Sequence, residues 1–223
     1  MHTIGVLKEG ERRRLVALAP AGVARLGVQV KVIVQKGAGR AAGFTDEAYL
    51  KAGAELVDGR ADVMQRADII LGHDSHYRGE ELDGPKTFIG FFNVLNDRAV
   101  VDTYARDGIT LYSLDMIPRT TLAQAMDVLS SVASISGYQA VLLAAERSLA
   151  TVPMITSAGG TLRPAKFLIM GAGVAGLQAI ATAKRLGAIV RAYDVRAASR
   201  TEVESLGATF IEVDGAVDAR STG

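Results

Sequence analysis

The sequence predicts an α/β protein of two parallel-sheet domains joined by a long helix, the second domain incomplete. Three observations carry this. Short apolar strands alternate with helical stretches from residue 3 onward. An uncharged run, VLSSVASISGYQAVLLAA, lies between Asp127 and Glu146. A Gly-x-Gly-x-x-Gly string, Gly171 to Gly176, then follows a further apolar strand and opens a helix.

Composition narrows the function classes. Apolar residues make up 49 % of the 223, ample for a core. The net charge of +1 excludes a large basic footprint, so neither nucleic acid nor an anionic bilayer is expected as the main partner. With no cysteine, disulfides, thiolate metal sites and a cysteine nucleophile are excluded. The N-terminal MHTIGVLKEGERRR has no apolar stretch of the secretory kind. The uncharged run reaches the lower limit of a membrane span, but its four serines, glutamine, tyrosine and glycine suit a helix buried in protein. A soluble chain is expected.

Residues 1–120 read as the first domain. A strand over 3–7 precedes a helix over 21–26 that Pro20 opens where its missing N–H costs nothing. A strand over 28–35 follows, with Val28, Val30, Val32 and Val34 alternating against polar neighbours. Gly37-Ala38-Gly39 turns the chain, and Thr45 caps a helix reaching Ala52, with Asp46 and Glu47 in its first turn. Strands over 54–57, 68–71, 87–92 and 109–112, with helices at 62–66 and 98–107, complete the domain. Residues 121–165 read as a connecting element, one helix over 121–147 and an irregular return rich in Gly and Pro. Residues 166–223 read as a partial nucleotide-binding domain: strand 167–170, helix 174–186, strand 189–193, helix 202–206, strand 209–212, and a frayed end.

The glycine string carries the chemistry. By itself it is a weak signal in a chain with 24 glycines. Its setting between strand and helix, with Asp194 ending the next strand, gives each residue a task in a Rossmann-like dinucleotide site. Gly171 permits the tight turn, and Gly173 lets the backbone approach a pyrophosphate on the helix N-terminus. Gly176 allows close packing of helix on strand. Asp194, eighteen residues after Gly176, can accept hydrogen bonds from the adenosine ribose. A carboxylate there repels a 2′-phosphate and favours NAD(H) over NADP(H), although Arg196 or Arg200 could hold that phosphate instead.

A second constellation comprises Arg119, Gln124, Asp127 and Ser130. On one continuous helix Gln124, Asp127 and Ser131 would share a face and need polar partners, such as a ligand amide and ribose. The same residues also allow a plain reading, in which Thr121 and Gln124 form a capping box and Asp127 pairs with Arg119. His73 and His76 form an H-x-x-H best read as loop histidines facing solvent.

The stretches MIPRTTLAQAMDVLSSVASISGYQAVLLAAE and ITSAGGTLRPAKFLIMGAGVAGLQAIATAKRLGAIVRAYDVR resemble the NAD(H)-binding alpha subunit of proton-translocating nicotinamide nucleotide transhydrogenase, of the alanine dehydrogenase superfamily. GVLKEGERR, KGAGRAAGFTDEAY and AGAELV extend the resemblance more weakly toward the N-terminus. The resemblance implies that Arg119, Gln124, Asp127 and Ser130 line the nicotinamide end. It places Gln124, Ala125, Met126, Asp127, Gly171, Gly173, Val174, Ala175 and Gly176 on the dinucleotide, and Asp194, Val195 and Arg196 on the adenosine ribose. It also implies direct hydride transfer from NADH to NADP+ on a partner subunit, linked to proton movement through membrane subunits. Pairing of the chain with itself, and a cytoplasmic position on the inner membrane held by those partners, follow from the same resemblance. No metal is implied.

Alanine dehydrogenases use a lysine, a histidine and an arginine around their substrate. At the matching positions stand Gly72-His73-Asp74, Asn93 and Leu15, none of which supplies the group required. IILGHDSHYRGEEL departs from the lysine-containing run of transhydrogenases, and three strands are expected in the second domain where such folds have six. The chain is thus expected either as an enzyme component acting with partners or as a truncated, catalytically silent NAD-binding module.

Overall fold

The computed structural model describes residues 2–10, 14–73, 77, 79, 82–118 and 120–213. The chain divides into two compact units, Met1–Pro118 and Arg119–Gly223.

In the first unit the order is β1 (Thr3–Val6), α1 (Pro20–Leu26), β2 (Lys31–Gln35), α2 (Asp46–Lys51), β3 (Glu55–Val57), α3 (Arg60–Arg66), β4 (Ile69–Leu71), β5 (Thr87–Gly90), α4 (Arg98–Arg106) and β6 (Thr110–Ser113). All pairings are parallel, in the order β3-β2-β1-β4-β5-β6, so the winding reverses between β1 and β4. Both faces are covered. Val6, Val32 and Val34 pack with Val23 of α1 and Tyr49 of α2. Leu7, Ile33 and Ile70 pack with Val63 and Met64 of α3 and Tyr104 of α4. This double cover changes the expected second strand. Residues 32–34 are all buried, so alternation gives way to a run apolar on both faces. Val28 and its neighbours instead form a short 3₁₀ turn over Gly27–Gln29 with Val28 exposed. Thr45 caps α2 as expected, its Oγ accepting the Ala48 N–H at 3.3 Å.

The second unit contains α5 (Val128–Arg147), β7 (Ile155–Ser157), β8 (Gly160–Leu162), β9 (Lys166–Met170), α6 (Val174–Arg185), β10 (Ile189–Tyr193), α7 (Ser199–Ser205) and β11 (Thr209–Phe210). Strands β11-β10-β9 form a parallel sheet with α6 packed on it, and α5 lies along α6. Three expectations are corrected here. The continuous helix from residue 121 does not form: a 3₁₀ turn over Gln124–Met126 precedes Asp127, whose ψ of 77° breaks the spiral before α5 starts. The return before β9 is not wholly irregular, because β7 and β8 pair as an antiparallel hairpin. Nor is α5 a buried helix. Only Gly137 and Val141 are buried in it, since one face meets α6 and the rest of a mixed surface of apolar residues and serines is left open. By length and composition α5 could cross a membrane. The chain segment expected to fray lies outside the described residues from 214 onward.

Candidate dinucleotide site

β9 runs directly into Gly171, whose φ of +94° is a left-handed conformation that side chains rarely adopt. Its N–H donates to the Tyr193 carbonyl at 2.7 Å, tying the loop to the end of β10. Gly173 is the N-cap of α6 and has no side chain to cap the first-turn amides. A Cβ placed on Gly173 would meet nothing within 4 Å, so the space before the helix is open. A Cβ on Gly176 would overlap the Gly171 carbonyl oxygen, so the loop closes onto the helix only with glycine there. The result is a twelve-residue helix whose uncapped amides face open space, an arrangement that attracts anions.

Asp194 follows β10 and is buried. Its Oδ2 accepts the Ala172 N–H at 2.6 Å, inside the glycine loop. Its Oδ1 accepts the Arg196 N–H at 2.8 Å, and the guanidinium adds bonds of 3.0 Å from Nε to Oδ1 and 3.2 Å from Nη2 to Oδ2. The Arg196 side chain, helped by the two backbone amides, holds this carboxyl down at about 2. A carboxylate has about four lone-pair directions. Here the chain itself occupies them, so a ribose would share Asp194 with Arg196 or displace it. Val195 is exposed beside them. Arg200 is turned to Glu204 and Glu212 and stacks over Phe210, so its charge is engaged away from Asp194.

The second constellation has a different geometry from a shared helical face. Asp127 is the N-cap of α5: its Oδ1 accepts the Ser130 N–H at 2.9 Å and its Oδ2 the Ser130 Oγ–H at 2.6 Å. The Thr121–Gln124 capping box does not form, because the Gln124 N–H donates to the Thr120 carbonyl within a turn. Gln124, Ala125 and Met126 are exposed on that turn. Arg119 lies outside the described residues. A cavity of about 390 Å³ joins the parts, with Leu129, Ser130 and Ala133 of α5 facing Met170, Gly171, Gly173, Val174, Ala175 and Gly176. Ser130 therefore stands across this cavity from the glycine loop, with Asp127 bonded behind it.

In the first unit, the reversal point between β1 and β4 is where open α/β sheets place ligands. Buried Glu9 accepts the His73 N–H there at 2.5 Å, and the His73 ring lies 4.7 Å from that of Phe91. His73 is half-buried rather than a solvent-facing loop residue, and His76 lies outside the described residues. Asn93 has a φ of +51°, in the left-handed region. A larger cavity, about 580 Å³, is lined by Lys8, Lys36, Arg40, Asp46 and Glu47 among others. Its groups serve their own loops: Lys36 pairs with Asp58, and Asp46 accepts the Gly37 N–H.

Two family models match this chain: "Alanine dehydrogenase/PNT, N-terminal domain" over residues 5–136 and "Alanine dehydrogenase/PNT, C-terminal domain" over residues 140–222. The chain belongs to the alanine dehydrogenase/PNT family. Within the family it is 41 % identical over 215 residues to a Rhodospirillum rubrum protein, the first portion of NAD(P) transhydrogenase subunit alpha, covering 93 % of this chain and 56 % of that one. The crystal structure of transhydrogenase from Sinorhizobium meliloti superposes with a TM-score of 0.85 at 39 % identity, covering 96 % of this chain and 62 % of that one. Alanine dehydrogenase of Mycobacterium tuberculosis is 28 % identical over 186 residues, covering 81 % and 50 %. The chain thus spans between half and about three fifths of the length of these relatives.

The gap between the two alanine dehydrogenase/PNT matches, residues 137–139, falls inside α5. The polar residues of α5 pointed to the site, whereas Leu129, Ala133 and Gly137 carried no expectation of a place beside it. A signal was present in the spacing of Ser130, Ala133, Gly137 and Val141, which recur at three and four residues and so share one helix face.

Proposed function

We propose that this chain is the NAD(H)-binding component of a nicotinamide nucleotide transhydrogenase. The single observation that carries the reading is the open, uncapped N-terminus of α6 behind Gly171, Gly173 and Gly176, with Ser130 across the cavity. The residues present fit a dinucleotide. The α6 amides at Val174, Ala175 and Gly176 would hold the pyrophosphate, Asp194 and Val195 the adenosine ribose, and Ser130, Asp127, Gln124 and Arg119 the nicotinamide end. When bound, the dihydronicotinamide supplies the hydride, which passes to NADP+ held on a partner subunit.

The chain's own work is to orient and to exclude water. Hydride transfer between two nicotinamides needs no proton donor at the reacting carbons, so a site of amides, hydroxyls and capped carboxylates suffices. Asp127 orients the Ser130 hydroxyl through the 2.6 Å bond, leaving the oxygen's lone pairs for a donor such as a carboxamide. Partners on this reading are NADP(H)-binding and membrane-spanning subunits that couple transfer to proton movement. A second copy of the chain and a peripheral position on the cytoplasmic face of the membrane belong to the same proposal. The greater identity to the transhydrogenase relative than to alanine dehydrogenase supports it, as do Leu15, Gly72-His73-Asp74 and Asn93 in place of substrate-binding groups.

A second reading is a catalytically silent nucleotide-holding module. Fluorescence titration of the purified chain with NADH and NADPH tests what the two readings hold in common. NADH is expected to bind more tightly, and equal or tighter binding of NADPH overturns the assignment of Asp194. Mixing the chain with an NADP(H)-binding partner component and following reduction of an NAD+ analogue by NADPH then separates the readings. Turnover supports the enzyme component and its absence the silent module.

A further inference from the structure

The helices α5 and α6 meet unusually closely at Gly137. A Cβ on Gly137 would overlap the Ala175 carbonyl oxygen and lie 2.9 Å from its carbonyl carbon. Both are backbone atoms, so no side-chain rotation relieves the overlap. Non-bonded carbon contacts settle at about 3.5–4.0 Å, so any larger residue at 137 forces the helices apart by roughly 1 Å. Ala175 is itself part of the glycine loop's helix turn. Ser130 and Ala133 lie on the same α5 face as Gly137, two turns and one turn closer to the helix start, and both line the cavity against Gly171 to Gly176.

We propose that Gly137 is a positioning residue for the dinucleotide site. By letting the two backbones touch, it fixes the distance from the capped start of α5, with Asp127 and Ser130, to the first turn of α6. That distance sets the room for the nicotinamide half of NADH. The proposal rests on the NAD(H) reading above, and goes beyond it by naming what determines the width of the site. The adenosine half, assigned to Gly171, Asp194 and Val195 on the β9–β10 side, does not depend on this spacing.

Gly137→Ala separates these halves when NADH and AMP are each titrated against the full chain. NADH binding is expected to weaken on the order of tenfold or more, as an ångström-scale misplacement can do. AMP binding is expected to stay within about twofold of the parent. Unchanged NADH affinity in the variant overturns the proposal. Loss of AMP together with NADH shows a disturbance not confined to the nicotinamide half and overturns the proposal; NADH weakened with AMP retained supports it. A parent chain that binds neither probe instead removes the NAD(H) reading, and the proposal with it.

Discussion

Asp194 does two things that pull in different directions. Its carboxylate ties the glycine loop to the turn after β10 through Ala172 and Arg196, and on the proposed reading it also receives the ribose. The first role has a pH signature. A carboxyl held at about 2 in the folded chain, below the usual 3.8, contributes stability that is fully present above about pH 4. That contribution is lost as pH falls from there through 2. Asp194→Asn keeps the shape but removes the charge, and should flatten the acid limb of an unfolding titration in that window. Because the lost bonds are charge-assisted, the variant should also be less stable at neutral pH by about 1–2 kcal/mol, measurable by urea denaturation. Arg196 is partly exposed, which keeps the figure at the low end. NADH affinity should fall in the same variant, and an unchanged affinity would confine Asp194 to the loop-tying role.

At the scale of an element, α5 gathers the informative departures from expectation. Nearly every one of its residues is apolar or small, so hydropathy gives no preferred face. Its start is decided by one carboxylate. Asp127 satisfies the Ser130 amide that a longer helix would have bonded to residue 126, and the chain turns there. Asp127→Ala should cost about 0.5–2 kcal/mol in the unfolding of the second unit. Asp127→Asn should retain most of that stability, since Asn caps as well as Asp does. Comparing the two by thermal unfolding and NADH titration separates cap from contact. If the Asn variant is stable yet binds NADH poorly, the charge itself serves the nucleotide. If both stability and binding are retained, Asp127 is a cap alone. The β7–β8 hairpin raises a related point. Its six residues are all exposed, and its cross-strand contact between Thr156 and Thr161, at 3.3 Å, is a small one. Gly159-Gly160 was legible as a break in the sequence, but the pairing of the strands around it was not, because neither strand carries a buried face to give it a period.

For the whole molecule, the alanine dehydrogenase/PNT family contains two chemistries, and the first unit bears on the choice between them. At its β1/β4 reversal Glu9 holds the His73 backbone, and on the proposed reading Asn93 and half-buried Leu15 take the places of an imine-reducing site's histidine and arginine. Pyruvate- and ammonia-dependent oxidation of NADH is therefore expected to stay at the blank rate in a spectrophotometric assay. A clear rate would return the chain to the dehydrogenase side of the family. The α/β class, most strands and helices, the Thr45 cap and the glycine loop were all readable from the sequence. These depend on neighbours within a few residues: an apolar run, a turn residue, an N-cap, a glycine at a fixed offset. The burial of both faces of β2, the pairing that engages Asp194, and the backbone contact at Gly137 were not readable. Each is made by residues far apart in the chain, such as Ala172 with Asp194 or Gly137 with Ala175. The sequence by itself determined where the chain would turn and where a glycine loop would open a helix. Only the tertiary structure decided how close α5 comes to that loop, because close approach is a property of two backbones together and leaves no period in either.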